Sequence, residues 1–238
     1  MANRFSSRGW RFFIMAVLAL LMMIPLLLVQ GVVWDRENYY EQALREVGAA
    51  WGGPQTIGVP TLFVTTERQI EQTIPANGEQ PERTELRTLS DVIALTPEET
   101  AISASIETEM RQRGIFEVPV FRARVTMFSR FEPDRIDTVI ADGERILWQT
   151  ARIGVSVRET RGLREAVAIS NGRTLDVEPG FAGQGEGFSV PITRSALAEP
   201  LEIAFTLNGA ESIALQPGGR DSRLEVTSTW PDPSFGGG

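Results

Sequence analysis

The sequence predicts a mainly β fold: an N-terminal transmembrane helix, an amphipathic stalk helix, and then an antiparallel β-sandwich-like domain beyond the membrane. Three observations lead there. Residues 12–33 form one uncharged, apolar run. Residues 35–50 place apolar side chains at helical spacing. From residue 57 onward, short β-branched and aromatic stretches alternate with turn residues, the pattern of a sandwich.

The apolar run has Gln30 as its only strongly polar side chain. As a helix it reaches roughly 33 Å, enough for the hydrocarbon core of a bilayer. Arg4, Arg8 and Arg11 precede it, and Asp35, Glu37 and Glu41 follow. Basic flanks stay cytoplasmic, so residues 1–11 form a cytoplasmic terminus, 12–33 contact lipid, and the rest is delivered outside. Trp10 and Trp34 bracket the run, where amphipathic rings favour the two interfaces. Pro25 lies mid-span, where neighbouring helices or local adjustment satisfy a freed carbonyl. A cleaved secretory signal is the competing reading. Such signals have apolar regions of about 7–15 residues ending in a small-x-small site. Gln30-Gly31-Val32-Val33 offers no good site of that kind.

Residues 34–53 form the stalk. Tyr40, Ala43, Leu44 and Val47 fall on one helical face, and Gly48 and then Gly52-Gly53-Pro54 end the helix. A rigid stalk lying on the ectodomain accounts for that face.

Residues 54–238 form the β domain. In 57–66, Pro60 argues for an edge position or a strand start. Residues 73–84 are polar and turn-rich, with Asn77-Gly78 as a hairpin signal, and apolar character resumes over 86–95. Thr96-Pro97-Glu98-Glu99 matches a helix capping box. Yet Ile102, Ala104, Ile106, Thr108 and Met110 alternate with polar neighbours, which favours a strand preceded by one helical turn at 97–99. In the long strand 114–131, the apolar parity changes between Val120 and Ala123, which suggests a bulge or bend. Further strands fall at 148–158, 166–170, 174–178, 201–208, 211–215 and 223–230. Turns fall at Asp142-Gly143, Asn171-Gly172, Pro179-Gly180, Asn208-Gly209 and Pro217-Gly218-Gly219. No period of about 20–50 residues repeats, which argues against a solenoid or propeller.

Composition narrows the chemistry. The formal charge is −8, and three N-terminal arginines contribute +3, so residues 12–238 carry −11. Such a surface repels nucleic acid and anionic head groups, and no nucleic-acid partner is expected. The chain has no Cys, no His and no Lys. Disulfides, Ser-His-Asp and Cys-His nucleophiles, ordinary zinc sites, Schiff bases and Walker-A loops are thereby excluded. Carboxylate chemistry, oxygen-ligated cations and binding remain. Gly183-Gln184-Gly185-Glu186-Gly187 is dense in glycine, but it does not lead from a strand into a helix, so a flexible interstrand loop explains it. Arg158, Arg161 and Arg164 are the weak ligand-contact candidates: guanidinium forks suit an anionic sugar or a peptide carboxylate. Surface pairing with Glu159 and Glu165 is the plainer account of them. No catalytic, cofactor-binding or metal-ligating residue stands out.

Several segments together resemble the CreD family of bacterial inner-membrane proteins, also called cell-envelope integrity proteins. They are Trp51-Gly52-Gly53-Pro54-Gln55, Arg113-Gly114-Ile115-Phe116-Glu117-Val118, Glu159 with Arg161-Gly162-Leu163, Gly183-Gln184-Gly185, and Pro217-Gly218-Gly219 running on to Ser228-Thr229-Trp230-Pro231-Asp232-Pro233-Ser234-Phe235. Departures are Gly58-Val59-Pro60, where the family usually has Gly-Pro directly, and Phe116, where Tyr is common. The resemblance implies an N-terminal membrane helix, a large periplasmic β domain, and a further block of C-terminal membrane helices. The present chain would then be the N-terminal portion. It also implies association with envelope stress and a sensor-kinase regulon, with no established catalytic residues or cofactor. The expectation is a non-enzymatic envelope protein whose sandwich contacts another envelope component. A cell-wall glycan-binding or carbohydrate-active sandwich is the alternative, and the input domain of a signalling complex is a third reading.

Overall fold

The computed structural model describes residues 8–74, 83–141, 143–182, 185–231, 233, 234 and 236. Arg4, the Asn77-Gly78 turn, Asp142, Gly183-Gln184, Asp232 and Phe235 lie outside the described residues.

The first element is a single helix, α1 (Arg8–Trp51), which passes Pro25 without interruption and joins the apolar run to the stalk. At about 1.5 Å per residue it extends roughly 66 Å. Its apolar part is exposed on the molecule, and an 18-residue window of mean hydropathy 3.0 makes it long and apolar enough to cross a membrane. Gly48 does not stop it. Gly52, at φ +120°, donates its N–H to Gly48 O at 2.8 Å and closes the last turn in a left-handed cap.

Among the described residues thirteen strands follow: β1 (Gln55–Ile57), β2 (Thr61–Ile74), β3 (Arg83–Leu95), β4 (Glu99–Arg113), β5 (Phe116–Arg130), β6 (Glu144–Ser156), β7 (Leu163–Ser170), β8 (Arg173–Leu175), β9 (Glu178–Pro179), β10 (Gly187–Pro191), β11 (Leu201–Ala210), β12 (Ile213–Leu215) and β13 (Asp221–Ser228). Two short helices, α2 (Pro133–Val139) and α3 (Arg194–Leu197), sit among them. One sheet has the order β3-β2-β6-β10-β9, and the other has the order β13-β4-β5-β11-β7-β8. Their inner faces make one core. Leu62, Val64, Ile153, Val155 and Val190 come from the first sheet, and Ile102, Val125, Met127 and Ile203 from the second. Phe188 and Phe205 meet edge to face across it, 5.3 Å apart. This is the expected sandwich, with two parallel exceptions: β13 on β4, and β1 on β12.

The alternation at 102–110 resolves as a strand. Thr100, Ile102, Ala104 and Ile106 of β4 are buried, with exposed or half-buried residues between them. The helical turn expected at 97–99 is absent. Glu98 donates its N–H to Arg130 O at 2.9 Å and accepts from Asp221 N, so this backbone is already committed to the ladder. Asn171 (φ 49°) and Gly172 (φ 69°) form the two-residue turn between β7 and β8, the type I′ geometry that Asn-Gly favours.

Other expectations need correction. For Pro60 the strand-start reading holds, since it stands immediately before β2, and only the edge reading fails, since β2 is flanked by β3 and β6. No bulge interrupts β5 near Val120, and its register with β4 is continuous from Phe116 to Arg130. The parity changes because both faces of β5 are covered. Phe121, Ala123, Val125 and Met127 face the sandwich core, whereas Val118 and Val120 pack under α1. Asn208-Gly209 is not a turn, since both residues lie inside β11, paired with Arg122 and Phe121. β10 carries no expected strand, although Phe188 and Val190 are fully buried. Beyond the reach of β6, β2 and β3 continue as a mostly exposed two-stranded ribbon.

Candidate functional site: the helix–sandwich junction

The outer face of β5 and β11 forms the seat for the last three turns of α1. Ala43, Val118, Val120 and Ala210 are buried there, with Leu44, Val47, Trp51 and Phe116 packed around them. Burial of Val118 and Val120 contributes roughly 2 kcal/mol each. The expected stalk face is the one used: Tyr40 lies 5.7 Å from Phe116, ring centre to ring centre. Trp51 Nε1 donates to Phe121 O at 3.2 Å, and the Arg111 guanidinium lies 4.6 Å over the Trp51 ring. Arg113 pairs with Glu46 at 2.8 Å. Hydrogen bonding from Arg113, and secondarily from Gln42, holds the Glu46 carboxyl below its ordinary range.

Below Trp51 the chain enters a buried polar lock centred on Gln55, which is only 1% exposed. Gln55 Nε2 donates to Asn208 O at 3.1 Å and to Glu159 O at 3.4 Å. Gln55 Oε1 accepts from Glu159 N at 3.3 Å. One side chain therefore ties β1 to the loop after β6 and to the end of β11. Gly53 O accepts from Ala210 N at 3.1 Å, and Gln55 N donates to Ser212 O at 2.9 Å. The surrounding glycines permit close approach. A Cβ on Gly162 would lie 2.2 Å from Asn208 O, and one on Gly209 would lie 2.3 Å from Phe121 Cζ. A Cβ on Gly52 would meet the same carbonyl at 2.5 Å. Two of the segments that carry the family resemblance, Trp51-Gly52-Gly53-Pro54-Gln55 and Glu159 with Arg161-Gly162, thus converge here from distant parts of the chain.

The arginine candidates lie on the rim of this lock. Arg161 occupies a 3-10 turn (Thr160–Gly162) and pairs with Glu159 at 3.3 Å. Arg164 Nη1 donates to Arg161 O and Leu163 O, both at 2.8 Å. Arg158 is exposed just beyond β6, and its N–H donates to Thr56 O at 3.0 Å. The structure places Arg158 and Arg161 in the connection after β6 and Arg164 at the start of β7, and it directs Arg161 and Arg164 to local partners. Gln55, Gly162 and Gly209, which organise the junction, were not singled out as site residues. The signal in the sequence is that Gln55 and Gly162 both lie in segments that carry the family resemblance.

A glycan-binding face would need an aromatic platform and inward carboxylates. Trp148 lies on β6 with the Arg194 guanidinium 5.3 Å over its ring, and Trp230 follows β13 at the edge of the other sheet. Among the described residues, the buried polar side chains are all uncharged. No group of three or more Asp and Glu among them is placed to hold a metal ion.

A family model described as "Inner membrane protein CreD" matches residues 7–238. The inner membrane protein CreD of Escherichia coli (strain K12) is 27% identical over 223 residues, covering 91% of this chain and 48% of its own length. The chain therefore spans about half the length of the curated relative it matches. No solved structure matches it.

Proposed function

The chain belongs to the CreD family of inner membrane proteins, and from that premise we propose that it is a non-enzymatic envelope protein in which α1 holds a periplasmic sandwich at a set attitude to the membrane. The sandwich contacts another envelope component. One observation carries this reading: the membrane-crossing helix does not end in a linker. It continues unbroken into the domain and is clamped there by packing, by Trp51 and by the Gln55 lock. A helix fixed in this way transmits position and tilt, whereas a flexible tether would leave the domain free to rotate. The basic residues before the span and the acidic ones after it support an inside N-terminus and an outside sandwich. The exposed β2–β3 ribbon, with Leu86 70% exposed at a paired position, is the favoured contact surface.

The test has two arms. Alkaline phosphatase fused after Gly238 is expected to be active, and the matching cytoplasmic-only fluorescent fusion dark. A photo-crosslinking residue at position 86, in living cells, is expected to give a discrete adduct with an envelope protein. An inactive phosphatase fusion would overturn the orientation. The absence of any protein adduct from the ribbon would overturn the contact.

A further inference from the structure

The turn between β4 and β5 has an outward-facing isoleucine that nothing within the fold requires. Arg113 pairs with Phe116, which leaves a two-residue loop, Gly114-Ile115, with Gly114 at φ +63°. Glycine in the first loop position meets the demand of such a turn. The second position demands no apolar side chain, yet Ile115 stands there 86% exposed, more than any large apolar residue of the span itself.

Its height above the membrane follows from the junction. Tyr40 touches Phe116, and Trp51 bonds to Phe121. From Tyr40 to Trp51 the helix rises roughly 16 Å, and from Phe116 to Phe121 the strand advances roughly 16 Å. Helix and strand therefore run side by side, and the N-terminal end of β5 points back toward the span. Ile115, one residue before Phe116, lies about 3 Å nearer the membrane than Tyr40's level, beside Asn38. Val33, the last residue of the apolar run, is about 7 Å farther along the helix from that level. The cleft between helix and hairpin agrees, because Val33, Arg36 and Glu37 line it together with Gly114 and Ile115. The polar layer on each side of a bilayer is about 5–7 Å thick. With the apolar run immersed, the turn lies at the outer edge of that layer, and a side chain the length of isoleucine is long enough to enter it.

We propose that the Gly114-Ile115 turn is a second membrane contact, inserting Ile115 among the lipid head groups beside the span. Helix and turn then form two points of attachment, which stop the sandwich from swinging about the helix axis. The occupant is the lipid surface because the cleft is continuous with the immersed helix. The inference rests on residues 12–33 crossing a bilayer.

The chain has no Cys, so single-cysteine variants label at one site. The full chain is reconstituted into zwitterionic phosphatidylethanolamine and phosphatidylcholine vesicles with a nitroxide at Ile115→Cys, Leu28→Cys in the span, or Leu86→Cys on the ribbon. Collision rates with oxygen and with a water-soluble nickel chelate are compared. The expected ratio of oxygen to nickel access at position 115 is several times that at 86 and below that at 28. If 115 matches 86 while 28 reports deep immersion, the second contact is refuted and the anchor stands. If 28 is itself water-accessible, both are refuted.

Discussion

Gly162→Ala tests the geometry of the junction directly, with Gly53→Ala as its control. Both glycines flank the Gln55 lock, and neither has a positive φ, so backbone strain does not separate them. Space does. A Cβ at Gly53 meets nothing within 4 Å, whereas one at Gly162 would lie 2.2 Å from Asn208 O and 3.2 Å from Gln55 Nε2. The obstruction at 162 is backbone inside β11, which cannot rotate away as a flexible side chain does. Relief requires the 3-10 turn or β11 to shift, at about 1–3 kcal/mol for overpacking. The shift also loosens the Gln55–Asn208 hydrogen bond, worth about 1 kcal/mol. Together these predict a loss of about 2–4 kcal/mol for Gly162→Ala, or a thermal midpoint lower by roughly 5–15 °C for a domain of this size. Gly53→Ala is expected to be neutral or to stabilise by up to about 1 kcal/mol, through the unfolded chain alone. Urea unfolding of the detergent-solubilised chain, followed by circular dichroism and tryptophan fluorescence, measures both. Equal stabilities for the two variants, or Gly162→Ala within about 0.5 kcal/mol of the parent, would refute the close-approach argument.

Two other outcomes follow from composition and charge. The thermal midpoint is expected to be unmoved by reductant or chelator, because no Cys or His exists to respond; a chelator-induced shift of several degrees would expose an oxygen-ligated cation. The Glu46–Arg113 pair should impart a small pH dependence. The folded-state pKa of Glu46 is lowered, so its contribution is full above the ordinary carboxylate value of 4.5 and is lost as pH falls through the lower folded value. The stability difference between the parent and Glu46→Gln is therefore expected at neutral pH and should vanish in acid. A difference that persists unchanged at low pH would show that Gln42 or packing, rather than charge, accounts for it.

Much of the architecture was legible in local pattern. The strict alternation over 102–110 outweighed a capping-box motif, because two-residue periodicity reports which side chains face a core. Asn171-Gly172 turned where expected, because a type I′ turn is a local demand on two residues. The four-residue face beginning at Tyr40 found its partner surface. Other readings failed for a common reason: each assigned to the chain's own geometry something that a distant element imposes. The parity change in β5 looked like a bulge because a strand was assumed to have one buried face, whereas α1 covers the second. Asn208-Gly209 looked like a turn because glycine at a turn and glycine at a close contact are the same letter. Here Gly209 leaves room for Phe121 and Gln55. β10 was hidden between a glycine-rich loop and Pro191, with too short an apolar run to stand out.

The sequence alone determined the apolar helix and the polarity of its flanks, the absence of thiol, imidazole and amine chemistry, and the β texture of the remainder. These are sums or short-range patterns that each stretch carries by itself. Only the tertiary structure decided that the span and stalk are one helix seated on β5 and β11, that Gln55 joins three distant segments, and that Ile115 shares a cleft with Val33 at the end of the apolar run. Those facts depend on which surfaces meet, and contacts between residues a hundred positions apart leave no periodic trace in the chain.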